Sequence, residues 1–146
     1  LAVAVVAAVG GRWTDTAPGS WYDGLDKPWF TPPGWVFGAA WSTLYLLMAV
    51  AAWLVLRSHT ASAGRQMAAI ALYATQLALN LAWTWIFFAR QHPGWALVDL
   101  AALFLAVLAA AVAFARIRRV AAALLVPYLG WLAFAAALNV AILAAN

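Results

Sequence analysis

Long apolar runs separated by short polar breaks set the pattern of this chain. The first run, 1–12, ends near Gly10-Gly11, and the others cover 34–57, 66–89, 94–115 and 120–145. Each of the last four is as long as the roughly 20 helical residues needed to cross a bilayer core. Only helices or closed barrels can satisfy their backbone groups inside lipid. A barrel would show short alternating strands rather than unbroken apolar runs. The pattern therefore predicts an all-α integral membrane protein, a bundle of five transmembrane helices forming one domain over 1–146. The first run is too short to span as it stands. It is read as the second half of a first helix, with further residues expected before Leu1. It has neither a basic n-region nor a cleavage site, so it is not read as a signal peptide.

The segment 13–33 breaks the pattern as the one long polar stretch. It carries Asp15, Asp23, Asp26 and Lys27, the prolines Pro18, Pro28, Pro32 and Pro33, and the tryptophans Trp13, Trp21 and Trp29. A loop of this length between packed helices is uncommon unless it has a task. Prolines stiffen it and aromatics suit an interface, so a pocket lid is expected.

Inside the spans, helical spacing of three and four places chosen residues on shared faces. Tyr73, Gln76, Asn80, Thr84 and Phe87 share one face of the third span. Phe37, Trp41, Tyr45 and Met48 share one of the second, and Tyr128, Trp131, Ala135 and Leu138 one of the fifth. Two readings stand. Amides and hydroxyls bond helix to helix while aromatics fill gaps. Alternatively, the three faces line a mostly apolar pocket for a large flat ligand, with Asn80 or Gln76 fixing its orientation. Pro127 removes one helix hydrogen bond and should kink the fifth span near Ala123. Asp99 is the one intramembrane acid. It is either a functional group or a partner for a helix end or for Arg90. Gly34 and Gly38 have the spacing of a helix-dimer motif. Trp21, Trp29, Trp35, Trp85 and Trp95 lie near span ends, where indoles anchor to the interface.

Composition narrows the classes. Hydrophobic residues make up 68% of the chain and charged residues 8%, whereas soluble domains carry about 25% charge. Cysteine is absent, which removes disulfides, thiolate chemistry and cysteine-based metal sites. The net charge of +4 is scattered over the loops, and no nucleic-acid partner is expected. The turns after the second and fourth spans carry Arg57, Arg65, Arg116, Arg118 and Arg119, against Arg12, Lys27 and Arg90 on the other side. The positive-inside rule then puts the N-terminus in the cytoplasm and the long loop outside. His59 and His92 fall on opposite sides of the membrane, so no shared metal site is expected. No nucleophile triad, carboxylate pair or phosphate-binding glycine loop is visible.

Several motifs occur in order. Trp21-Tyr22-Asp23-Gly24-Leu25-Asp26-Lys27-Pro28-Trp29-Phe30-Thr31-Pro32-Pro33 resembles the WYxxLxKPxxxPP first-loop signature of the TspO/MBR family, the translocator proteins or tryptophan-rich sensory proteins. Trp35-Val36-Phe37 with Trp41-Ser42-Thr43-Leu44-Tyr45 resembles that family's second helix. Gln76 to Asn80 with Trp83 and Phe87 to Gln91 resembles the third. Gly94 to Leu100 resembles the fourth, and Pro127 to Phe134 with Leu138-Asn139 the fifth. The resemblance implies a bacterial-type member in the cell membrane, often a homodimer, requiring no cofactor. As ligands it implies tetrapyrroles (protoporphyrin IX or haem) and benzodiazepine- or isoquinoline-type molecules, alongside membrane lipid. It places Phe37, Trp41, Tyr45, Asn80, Trp83, Phe87 and Trp131 in the pocket, and Trp21, Tyr22 and Pro32 in its lid. The family's sterol-associated pattern has an aromatic and a basic residue where this chain has Val140 and Ala144, so sterol recognition through that segment is not expected.

Three functions follow as alternatives. The first is a tetrapyrrole-binding sensor or carrier with a stress-linked regulatory role. The second is an enzyme degrading porphyrin with light and oxygen, with Trp41 and Trp131 as the implied catalytic candidates. The third is a transporter of porphyrin or sterol-like lipids, to which Asp99 and the lack of visible repeats lend little.

Overall fold

A computed structural model describes residues 2–146. Helix α1 covers Ala2–Trp13 and α2 covers Gly34–Leu56. Helix α3, Ala63–Thr84, runs without a break into a π-helical turn, Trp85–Ala89. Helices α4, Pro93–Ala115, α5, Arg119–Ala123, and α6, Val126–Ala145, complete the chain. No strand occurs among the described residues. The stretches Gly34–Leu56, Ala63–Ala89, Pro93–Ala115 and Arg119–Ala145 are long and apolar enough to cross a membrane. With the shorter apolar α1 they make the expected bundle of five, α5 and α6 counting as one broken span.

Local chemistry explains where the helices start and bend. Ser62 caps α3 by accepting the backbone N–H of Arg65 at 3.2 Å, as short hydroxyl residues do at helix starts. The polar Ala63-Gly64-Arg65 is thus the first turn of a helix that hydropathy alone begins later. Pro93 opens α4, a position where its missing N–H is harmless. Pro127 cannot donate to Ala123, and regular α-helix gives way to a turn at Leu124 and Leu125, which keep right-handed dihedrals. Leu125 turns its N–H to Ala122 at 3.0 Å, a tighter one-turn bond, so the helix is interrupted beside the position the proline predicts.

Helix α3 packs most extensively against α4, and α4 also packs on α6. Met48, Ala51 and Val55 of α2 and Leu103, Val107, Ala110 and Phe114 of α4 belong to the same fully buried core. Tyr73 stacks on Phe114 at 6.0 Å. Alanines in these seams let backbones approach, as in lipid-embedded bundles where van der Waals contact drives packing. Leu46, Trp53, Leu105, Val112 and Val126 point outward. So broad an apolar exterior is a liability in water and the natural surface in lipid.

The π turn is a feature the sequence did not announce. Arg90 bonds back to Trp85 at 2.9 Å and His92 to Ile86 at 3.0 Å, widening the last turn of the third span. Gln91 closes it with φ of 56°, a left-handed conformation uncommon outside glycine. Such π turns inside helices recur at functional sites.

Candidate functional site

The loop 13–33 folds over one end of the bundle, and Lys27 organises it. Its ammonium donates to the carbonyls of Tyr22 at 2.9 Å, Leu25 at 3.2 Å and Asp23 at 3.2 Å. It also lies 4.8 Å from the centre of the Tyr22 ring, a cation–π contact. The motif's lysine is thus the internal clamp of its tyrosine turn. The same turn is tied to Asn146. Asn146 accepts from the Asp26 N–H at 3.2 Å and donates to the Asp26 carbonyl at 3.0 Å.

This clamp drives Tyr22 into the bundle. Its ring lies edge-on to Phe37 at 6.1 Å and against Phe88 at 5.7 Å. Burial pushes the phenol pKa up to about 12. Beneath it is an aromatic cage. Trp41 stacks on Tyr45 at 5.7 Å, meets Trp131 edge-on at 6.1 Å and lies 6.4 Å from Trp83. Trp83 stacks on Phe87 at 5.4 Å, and Phe37 meets Trp131 at 5.9 Å. Offset and edge-on pairs of this kind contribute about 0.5–1.5 kcal/mol each beyond simple burial.

The cage encloses a cavity of about 30 Å³, lined by Tyr22, Phe37, Trp41, Trp83, Phe87, Phe88 and Trp131 with Leu138 and Asn139. Thr14, Phe37 and Trp41 separate it from a larger cleft of about 250 Å³ between α1 and α2, walled by Gly10, Gly38, Ser42, Tyr45 and Thr84. Two polar atoms of the cage lack a protein partner although buried: the Tyr22 hydroxyl and the Trp131 Nε1. Most buried polar groups in folded proteins are hydrogen-bonded, so a pair of unpaired donors around one cavity calls for an acceptor.

The expected site residues divide into groups. Tyr22, Phe37, Trp41, Trp83, Phe87 and Trp131 come together around the cavity. Tyr45 lines the neighbouring cleft and backs Trp41. Trp21 is half-buried against Phe87 at 5.5 Å, as a lid residue and not an exposed anchor. Pro32 is half-buried in the loop and lines neither space. Asn80 lies behind the cage. It accepts from the Tyr45 hydroxyl and donates to the Tyr128 hydroxyl, each at 2.8 Å. Gln76 accepts from Tyr128 at 2.8 Å. Both amides take part in a polar chain joining α2, α3 and α6, and neither lines the cavity or the neighbouring cleft.

Two residues that the sequence reading placed in motifs but not in the site also line the cavity. Phe88 reaches the cavity beside Phe87 because the widened π turn brings consecutive residues inward; a regular helical period hides it. Asn139 accepts from the Trp83 indole at 3.3 Å and donates to the Pro93 carbonyl at 2.8 Å. It was visible only as part of a Leu-Asn pair. No cluster of potential metal ligands occurs among the described residues. The Trp41 and Trp131 rings touch, and no acid or base accompanies them in the cavity lining.

A sequence model of the TspO/MBR family matches residues 1–145. The chain is 42% identical over 139 residues to the translocator protein of Homo sapiens, covering 95% of this chain and 82% of that protein. It is 40% identical over 146 residues to the tryptophan-rich protein TspO of Archaeoglobus fulgidus, covering 100% and 93%. It is 41% identical over 142 residues to the tryptophan-rich sensory protein of Cereibacter sphaeroides, covering 95% and 87%.

Proposed function

The chain belongs to the TspO/MBR family of multi-pass membrane translocator and sensory proteins, and from that premise we propose that it binds tetrapyrroles such as protoporphyrin IX or haem in the aromatic cage beneath its first loop. The observation that carries this reading is the pair of unpaired donors, Tyr22 hydroxyl and Trp131 Nε1, among stacked aromatic side chains. A flat macrocycle offers faces for the rings and carboxylate oxygens for the donors. The role that follows is sensing or carriage of the pigment under stress, with benzodiazepine- and isoquinoline-type molecules as smaller occupants.

Size sets the manner of entry. A cavity of about 30 Å³ is far below the several hundred Å³ of ordinary ligand sites. The ligand must displace Phe37 and Trp41, the wall shared with the 250 Å³ cleft, or lift the Lys27-clamped loop. Titration of detergent-purified protein with protoporphyrin IX, followed by tryptophan quenching, tests the reading. Saturable quenching is expected, weakened when Trp131 is changed to Phe. Its absence would remove the proposal.

A second reading, breakdown of the bound porphyrin by dioxygen under light, is favoured by one observation. Trp41 touches Trp131, Trp83, Tyr45 and Tyr128, a set of oxidisable rings beside the site. Loss of the porphyrin Soret band under illumination, slowed in a Trp41→Phe, Trp131→Phe variant, is the outcome it requires.

A further inference from the structure

The end of the bundle opposite the lid carries cations and no acid. The turn after α2 holds Arg57, the first turn of α3 holds Arg65, and the turn from α4 into α5 holds Arg116, Arg118 and Arg119. All five arginines are exposed. The acids of the sequence are Asp15, Asp23 and Asp26 in the lid loop and Asp99 in the second turn of α4. Asp99 and Arg116 lie about 25 Å apart along α4 at a rise of about 1.5 Å per residue. No carboxylate of this sequence therefore reaches the arginine end.

Helix ends account for two of the five. Arg57 and Arg116 follow the last residues of α2 and α4, where a cation offsets the negative end of the helix dipole. Arg65 occupies the first turn of α3, where the same dipole opposes it, and Arg118 and Arg119 lie where α5 starts. Like charges gathered in this way repel one another and call for an external counterion. The surroundings identify its kind. Exposed apolar side chains lie just deeper in the spans: Leu56 beneath Arg57, Met67 beneath Arg65 and Val120 beneath Arg119. Trp53, one turn inside α2, is exposed and lies 5.2 Å from the Arg57 guanidinium, at the level where indoles meet headgroups. Phosphate outermost and acyl chain beneath is the order of a phospholipid leaflet.

We propose that the arginine end is a binding surface for phosphoglycerides of net negative charge, drawn from the leaflet that it faces. Arginine suits the task, because its planar fork donates in pairs to phosphate oxygens. All five cations here are arginines, while the one lysine of the sequence lies in the lid. A zwitterionic lipid offers the same phosphate but brings its ammonium among five guanidiniums with no acid to receive it. A soluble anion would match the charge and leave Leu56, Met67 and Val120 without chains to cover them. The surface also fits the cytoplasmic leaflet, whose anionic lipids attract basic segments beside a span. It lies at the opposite end from the cage and is independent of any porphyrin there.

The test is native mass spectrometry of the detergent-purified chain with dioleoyl phosphatidylglycerol and dioleoyl phosphatidylcholine in competition. The glycerol lipid should be retained about tenfold over the choline lipid, the effect of one to two arginines on each headgroup. Arg118→Gln together with Arg119→Gln should cut that ratio to about twofold. Arg12→Gln together with Arg90→Gln removes the same charge from the lid end and should leave the ratio as it was. Soluble glycerophosphoglycerol at equal concentration should displace neither lipid. Equal retention of the two lipids by the unaltered protein would overturn the proposal without any variant. So would equal losses in the two double variants, which would reduce the effect to net charge. A preference untouched by Arg118→Gln with Arg119→Gln, or displacement by the soluble headgroup, would overturn it as well.

Discussion

Asn80 and Tyr128 are joined by a 2.8 Å hydrogen bond across the buried seam between the third and fifth spans. The same tyrosine donates to Gln76 at 2.8 Å, and the same asparagine accepts from Tyr45 at 2.8 Å. In lipid-embedded bundles such bonds fix helix register, and here they hold the amides outside the cavity lining.

Changing Tyr128 to Phe therefore strands the Asn80 amide hydrogen and the Gln76 oxygen. An orphaned buried polar group costs about 1–3 kcal/mol, so the melting temperature in detergent should fall clearly. Asn80→Ala should do likewise. In the protein that remains folded, porphyrin affinity should change by no more than about twofold, since a contact outside the cavity adds little to binding. An Asn80→Ala protein that melts normally yet fails to bind would show that Asn80 touches the ligand after all.

Tyr22 and Trp131 should behave in the opposite way. Their donors are unpaired in the protein, so Tyr22→Phe and Trp131→Phe remove a desolvation cost while keeping a ring in place. Tyr22→Phe should be as stable as the parent or slightly more so, while Trp131→Phe, which also trims an indole packed on Phe37 and Trp41, should lose about 1–2 kcal/mol. Each should bind protoporphyrin IX about three- to tenfold more weakly, the worth of one hydrogen bond. Thermal melts and fluorescence titrations on the same preparations check both signs. A loss of stability without a loss of affinity would mean these atoms have structural partners.

The fold class was legible because lipid imposes one rule on every span, and the runs from Gly34 onward are too long and too apolar to obey it otherwise. The interruption at Leu124 and Leu125 was legible for a similarly local reason, since Pro127 lacks one N–H. The aromatic faces of the second, third and fifth spans could be drawn from spacing, and Phe37, Trp41, Phe87 and Trp131 do gather around one cavity. Periodicity could not say whether Asn80 points into that cavity or past it. Both lie on the same helical face, and only the position of Tyr128 on another span decides. Phe88 escaped because the π turn violates the period used to find faces.

The glycines near the loop offer a test of close packing. A Cβ on Gly34 would lie 2.5 Å from the Thr16 Oγ1 and 3.2 Å from its Cβ, so contact within the chain is enough to require this glycine. Gly34→Ala should lower thermal stability by about 1–3 kcal/mol, as overpacking does. Thr16→Gly in the same chain should restore most of it, because both close atoms are then gone. Gly38 has open space where its Cβ would be, and Gly38→Ala should be nearly neutral. Equal losses at Gly34 and Gly38 would contradict this assignment.

The lid gives the last prediction. Lys27 holds three carbonyls and the face of Tyr22 with one ammonium, and Lys27→Met keeps the aliphatic stem while removing every one of these contacts. The loop is partly exposed, so water recovers much of the hydrogen bonding and the global melt should shift by only about 1 kcal/mol. Tyr22 loses its restraint, and the cage should open more often. Protoporphyrin association, followed by stopped-flow tryptophan quenching, should therefore quicken several-fold. Dissociation should quicken more, since the bound ligand also loses the Tyr22 hydroxyl as a held donor. Association and dissociation rates both unchanged in Lys27→Met would mean that the ligand enters through the cleft between α1 and α2 with the loop still closed, and the Phe37 and Trp41 wall would then be the gate.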